Sequence, residues 1–98
     1  SDVLSDNANY ACDFIEKHFK GVRVSRPQGT YMLFLDCGEW CKKHGVSITE
    51  LQHRGVKCGV IWQNGEDFYW ENTIRMNLAL PHSLELEAFD RLKKYVFV

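Results

Sequence analysis

Arg75 is the residue whose type and setting most clearly suggest chemistry. It interrupts a run of Ile74, Met76, Leu78, Ala79 and Leu80 and, at strand spacing, shares its face with Asn77. A guanidinium presents a rigid fork of donors that matches a carboxylate bidentately, and a strand fixes its direction better than a loop. Spacing alone leaves two readings open: a carboxylate clamp, or an edge-strand arginine paired with one of the thirteen acids, since structural ion pairs are common and often nearly neutral in energy. Cys37, Cys41 and His44 form a C-x3-C-x2-H cluster, for which a zinc ion would need a fourth ligand such as His53, Cys58 or Cys12. The spacing does not supply one convincingly, and Cys41 falls beside Trp40 on an apolar stripe. Packed thiols are therefore expected and no metal site. His18, His44, His53 and His82 lie on separate elements without an acidic partner in a shared motif, so each reads as a helix-end or surface histidine. No nucleophile elbow, phosphate loop or zinc-binding helix motif is present, and no catalytic residue is expected within the chain. The aromatic group Trp62, Phe68, Tyr69 and Trp70 around Asn64-Gly65 could stack on a ligand, but a hairpin packed against a neighbouring domain explains it better.

The elements that must position Arg75 follow from periodicity and punctuation. Ser5 can cap a helix over residues 6–20, where Tyr10, Ala11, Phe14, Ile15, His18 and Phe19 recur at helical spacing and Gly21 suits a left-handed exit. A short strand at 22–24 leads into the turn residues 25–29, and a second strand is expected at 30–36. Its five consecutive apolar residues lack alternation, as in a strand covered on both faces. Residues 39–44 can form a short helix ended by Gly45. Ser47-Ile48-Thr49-Glu50 is a capping box opening another helix that Gly55 would close. Residues 58–62 read as a strand and Asn64-Gly65 as a tight turn. The clearest strand spans 73–80, with Ile74, Met76, Leu78 and Leu80 on one face and Arg75, Asn77 and Ala79 on the other. Pro81 ends it. Ser83 can cap a last helix with Glu85 and Glu87 at its positive end, Lys93 and Lys94 at its negative end, and an apolar stripe of Leu84, Ala88, Phe89, Leu92 and Val96. The order predicts an α+β fold: a small, mainly antiparallel sheet of three or four strands with helices packed mostly on one face.

Composition bounds what such a fold can do. Ninety-eight residues suffice for one domain, and 45% hydrophobic against 26% charged residues supports an ordinary core. Twelve Lys plus Arg against thirteen Asp plus Glu leave a net charge of −1, which gives no bulk attraction to nucleic acid or an anionic membrane. The longest apolar run, Tyr31 through Leu35, is far short of the roughly 20 residues of a membrane helix. Four cysteines in a chain with this much core read as free thiols, and the expected setting is the cytoplasm.

The segment Ile74-Arg75-Met76-Asn77-Leu78-Ala79-Leu80-Pro81, with Ser83 and Glu87-Ala88-Phe89-Asp90-Arg91-Leu92, resembles the carboxyl end of pyridoxal-phosphate aminotransferases of the class I/II superfamily. Arg26-Pro27-Gln28-Gly29-Thr30-Tyr31-Met32-Leu33-Phe34-Leu35-Asp36 is similar to the strand after the first helix of the same small domain. Gly59-Val60-Ile61-Trp62-Gln63-Asn64-Gly65 before Phe68 is similar to the segment preceding the arginine strand in cystathionine β-lyases and related C-S lyases. In the expected order, these segments carry the resemblance over residues 8–98. Only the loop at 69–73 departs from the pattern, lacking the Gly and Pro expected before the strand.

The resemblance implies that residues 1–98 are the C-terminal small domain of a fold-type I enzyme, an aminotransferase or a C-S β-lyase acting on cystathionine- or cysteine-like amino acids. It implies that Arg75 binds the substrate α-carboxylate. The pyridoxal phosphate would be held by a large domain outside this sequence, because none of Lys17, Lys20, Lys42, Lys43, Lys57, Lys93 or Lys94 sits in the context of the Schiff-base lysine. The implied partners are an amino-acid substrate, the large domain and a second copy in a homodimer of the full-length enzyme. The isolated chain is expected to be inactive. The competing expectation is a stand-alone carboxylate-binding or interaction module that uses the same fold and Arg75.

Overall fold

The computed structural model describes residues 2–27, 30–65 and 70–98. Helix α1 (Val3–His18) is followed by strands β1 (Arg23–Ser25) and β2 (Met32–Asp36), helices α2 (Gly38–His44) and α3 (Ile48–Lys57), strands β3 (Trp62–Asn64) and β4 (Thr73–Asn77), and helix α4 (His82–Tyr95). The strands form one antiparallel sheet in the order β1-β2-β4-β3. The expected α+β class and antiparallel sheet are found.

Alternation along the two central strands separates the faces of the sheet. Leu33, Leu35, Ile74 and Met76 are buried together with Ala11 and Ile15 of α1, Trp40 of α2, Leu51 of α3 and Phe89 and Leu92 of α4, so all four helices share one core. Burying each large aliphatic side chain contributes about 1.5–3 kcal/mol, which makes this the face that sets the register. Met32, Phe34 and Arg75 on the opposite face are only half-buried. The apolar run of β2 therefore alternates after all, and the sequence concealed this because both faces carry large apolar residues.

Several boundaries differ from expectation, each for an identifiable reason. Helix α1 starts earlier because Asp2, rather than Ser5, supplies the cap: its Oδ1 accepts the Ser5 N–H at 2.7 Å. The capping box of α3 forms as read, with Ser47 Oγ accepting the Glu50 N–H at 3.1 Å. Gly55, however, does not close α3. It lies inside the helix because the Trp62 ring packs on it: a Cβ there would come within 2.3 Å of the indole. The helix ends at Lys57, and Gly59 takes the left-handed φ of +89°. Consequently residues 58–59 are helix exit, and the strand expected at 58–62 lies at Trp62–Asn64 instead.

Asn64-Gly65 does not form a two-residue hairpin turn, since β4 begins only at Thr73. Part of the 69–73 loop lies outside the described residues. Within the rest, Asn72 adopts φ +55°, a left-handed conformation that asparagine tolerates better than most residues. It thereby supplies the turn for which a glycine was expected. Strand β4 ends at Asn77, earlier than read, although Leu78 N–H still bonds Tyr31 C=O at 2.6 Å. Helix α4 is capped from Pro81, not Ser83. The buried stripe keeps Phe89, Leu92 and Val96 as expected, but in the first turn Glu85 is buried and Leu84 exposed.

Candidate carboxylate-binding site

Arg75 sits on β4, an interior strand, so the edge-strand setting considered for it does not apply. The register places Ser25, Phe34, Arg75 and Gln63 in one row across the four strands, on the face turned away from the helices. Gln63 is directly opposite Arg75, and its Oε1 accepts from Arg75 Nε at 3.0 Å and from Nη2 as well. On the other side of Arg75, Phe34 carries the Trp70 ring, with centroids 4.2 Å apart. Arg75 thus stands in the sheet between Gln63, which its guanidinium contacts, and Phe34.

Asn77 shares this face as expected, but its Oδ1 accepts the Ala79 N–H at 2.7 Å and serves the chain's exit from the strand. The aromatic group read around Asn64-Gly65 is divided between two faces. Trp62 is buried on the helix side, where its Nε1 donates to Gln52 C=O at 2.8 Å, while Trp70 is on the open side. Phe68 and Tyr69 lie outside the described residues. A separate apolar concavity of about 470 Å3, lined by Val60, Ile61, Leu80, Leu84 and Ala88 among others, does not include Arg75.

Cys37, Cys41 and His44 serve packing. Cys37 and Cys41 are buried, and burial pushes both thiols up, with the negative charge of Asp36 adding to it. Such thiols are poor nucleophiles and poor ligands. His44 turns away from them, with Nδ1 2.9 Å from Trp40 C=O and its ring stacked on that indole. Among the described residues, no group of three or more His, Cys, Asp or Glu side chains gathers as a metal site. His82 does have polar partners, contrary to expectation: its Nδ1 lies 2.8 Å from Asn7 Oδ1 and 3.7 Å from Glu85 Oε1.

The lysines bear on the cofactor. All seven are exposed on the surface of this domain. A Schiff-base lysine needs a desolvated or otherwise activated amine, so these residues do not fit pyridoxal phosphate, and no step within this chain runs through it.

The fold agrees with what known proteins display. A C-S lyase from Staphylococcus hominis, solved with pyridoxal phosphate and also with the inhibitor L-cycloserine, is 29% identical over 92% of this chain, with a TM-score of 0.77. Cystalysin from Treponema denticola, which contains pyridoxal 5'-phosphate, matches 94% of the chain at 23% identity and a TM-score of 0.78, a likeness of fold. A protein of Mycobacterium leprae that carries the name of a cystathionine beta-lyase is 50% identical over 34 residues, 35% of this chain and 8% of its own length. No protein-family model matches. The chain spans about a quarter of the length of these solved structures.

The fold is thus that of a part of pyridoxal-phosphate-bound C-S lyases, to which the chain is similar. In sequence the chain is likewise similar to a C-S lyase and, over 34 residues, to a protein named as a cystathionine beta-lyase.

Sequence reading singles out Arg75 but neither Gln63 nor the Phe34–Trp70 pair beside it. The only available signal was the strand pairing, and displacement of β3 from 58–62 to Trp62–Asn64 hid it.

Proposed function

We propose that this chain is the α-carboxylate-binding small domain of a pyridoxal-phosphate-dependent C-S β-lyase acting on cystathionine- or cysteine-like amino acids. The observation that carries the reading is the placement of Arg75 at the centre of the sheet's open face, with the helical core behind it. The cofactor belongs to a larger part of the parent enzyme and supplies an electron sink there. This domain contributes binding and orientation. Arg75 holds the substrate carboxylate by two parallel hydrogen bonds and so fixes the direction of the Cα bonds, an orienting effect that can contribute several kcal/mol. Phe34, the cross-strand neighbour of Arg75, and Trp70 packed on it add apolar surface beside that strand position, and closure of the domain onto substrate would exclude water from the ion pair. On this reading the chain alone turns over no amino acid, and the parent works as a homodimer. Four thiols without disulfide partners suit the cytoplasm.

The test is Arg75→Ala and Arg75→Lys in the full-length enzyme with L-cystathionine as substrate. Leaving the carboxylate desolvated and unpaired should cost about 2 to 5 kcal/mol, tens to thousands of fold in kcat/KM. Lysine keeps the charge but not the fork and should recover only part of the loss. Cofactor absorbance without substrate should stay at the wild-type level. An unchanged kcat/KM for Arg75→Ala would refute the reading.

A further inference from the structure

We propose that Gln63 is the positioning residue for Arg75, holding the Nε edge of the guanidinium with a neutral carbonyl so that the Nη1 and Nη2 edge is aimed at the substrate carboxylate. The inference rests on the carboxylate-binding reading of Arg75 and extends it to a second residue.

The geometry is that of a fixed bracket. Gln63 and Arg75 are direct cross-strand partners, so the backbone ladder sets the separation of their Cα atoms before either side chain moves. Oε1 of Gln63 accepts from two nitrogens on one edge of the guanidinium, Nε and Nη2. An arginine held by one edge loses rotational freedom about its terminal torsions, and its fork then points one way.

The bracket is itself anchored. Strand β3 has three residues and lies at the edge of the sheet, a position with little intrinsic rigidity. It is pinned by the residue next to Gln63: Trp62 donates from Nε1 to Gln52 C=O at 2.8 Å, while Gln52 Nε2 donates to Trp62 C=O at 3.3 Å. The Trp62 indole also lies on Gly55 of α3, where no larger residue would fit without displacement. Alternation along β3 turns Trp62 into the core and Gln63 onto the open face, so burial of one residue fixes the other.

The amide form of the side chain is central to the argument. Glutamate at this position would hold the guanidinium at least as firmly, but it would be a tethered carboxylate competing with the substrate at high effective concentration. Glutamine orients Arg75 without itself cancelling its charge.

This distinction supplies a test that a purely structural role would not pass. In the full-length enzyme with L-cystathionine, Gln63→Glu should raise KM at least tenfold with unchanged Tm, although the variant keeps or strengthens the contact to Arg75. Gln63→Met, of similar length and without an acceptor, should lower kcat/KM several-fold, and Gln63→Glu should not rescue it. If Arg75→Ala impairs the enzyme while Gln63→Glu and Gln63→Met keep the wild-type KM and kcat, the role of Gln63 is overturned and that of Arg75 stands. If Arg75→Ala itself has no effect, both proposals fall.

Discussion

Replacing Glu85 with glutamine should remove a pH dependence of stability that is built into the packing of α4. Glu85 lies in the first turn of that helix with 1% of its surface exposed, and neither carboxylate oxygen has a hydrogen-bond partner among the described residues. A helix N-terminus favours the anion by about 0.3–1 kcal/mol. Burial opposes it and prevails: desolvation raises the carboxyl from its ordinary 4.5 to about 7. The groups around it do not reverse this. His82 Nδ1 on the same helix is 3.7 Å away on a half-exposed ring, and from α1 the Tyr10 phenol and Cys12 thiol face the carboxylate and are pushed up, first by their own burial and further by its charge.

Because the folded-state pKa is the higher one, the native protein holds a proton that the unfolded chain releases. Glu85 therefore leaves stability intact below pH 4.5 and reduces it progressively as pH rises from 4.5 to about 7. At about 1.4 kcal/mol per pH unit, the ceiling on that loss is about 3 kcal/mol. Penetrating water and the neighbouring His82 lower it, so a difference of about 1–3 kcal/mol is expected. Urea unfolding of wild type and Glu85→Gln, followed from pH 4.5 to 8, measures it directly. The wild type should lose stability relative to the variant through this window, with a constant gap above it. Subtracting the variant's curve cancels the titration of other histidines and acids. Parallel curves would refute the claim that burial governs Glu85.

Two further perturbations test the packing that supports Arg75. Gly55→Ala improves helix propensity by about 1 kcal/mol but drives a Cβ into the Trp62 indole, so thermal unfolding should reveal a net destabilisation of about 1–3 kcal/mol; a neutral or stabilised variant would mean that Trp62 moves aside freely. Asn7→Ala removes a fully buried amide whose Nδ2 donates to Leu78 C=O at 2.9 Å and Leu80 C=O at 2.8 Å, and it should lower the unfolding free energy in urea by about 2–4 kcal/mol, since two carbonyls at the end of the β4 segment are left unpaired. An effect below about 0.5 kcal/mol would show that water replaces the amide at no cost.

What the sequence determined by itself is what depends on neighbours a few residues away. The Ser47 capping box, the left-handed Gly45, the alternation of Ile74, Arg75 and Met76, and the helical spacing of Ala11 and Ile15 were all legible, because cap geometry and side-chain period are local properties. Together they sufficed for the α+β class and for placing Arg75 on a strand, while the motif around Arg75 resembled class I/II aminotransferases and Gly59 to Gly65 resembled the C-S lyases. The tertiary structure decided what depends on contacts across long stretches of chain. Gly55 reads as a helix terminator in sequence but Trp62 covers it, and the docking of α1 against α4 and β4 buries both Asn7 and Glu85, the latter read only as a charge at the positive end of its helix. The partner of Arg75 was hidden for the same reason: Gln63 is twelve residues away in sequence, and only the cross-strand register, set by burying Trp62 and Met76 together on the other face, brings the amide to the guanidinium.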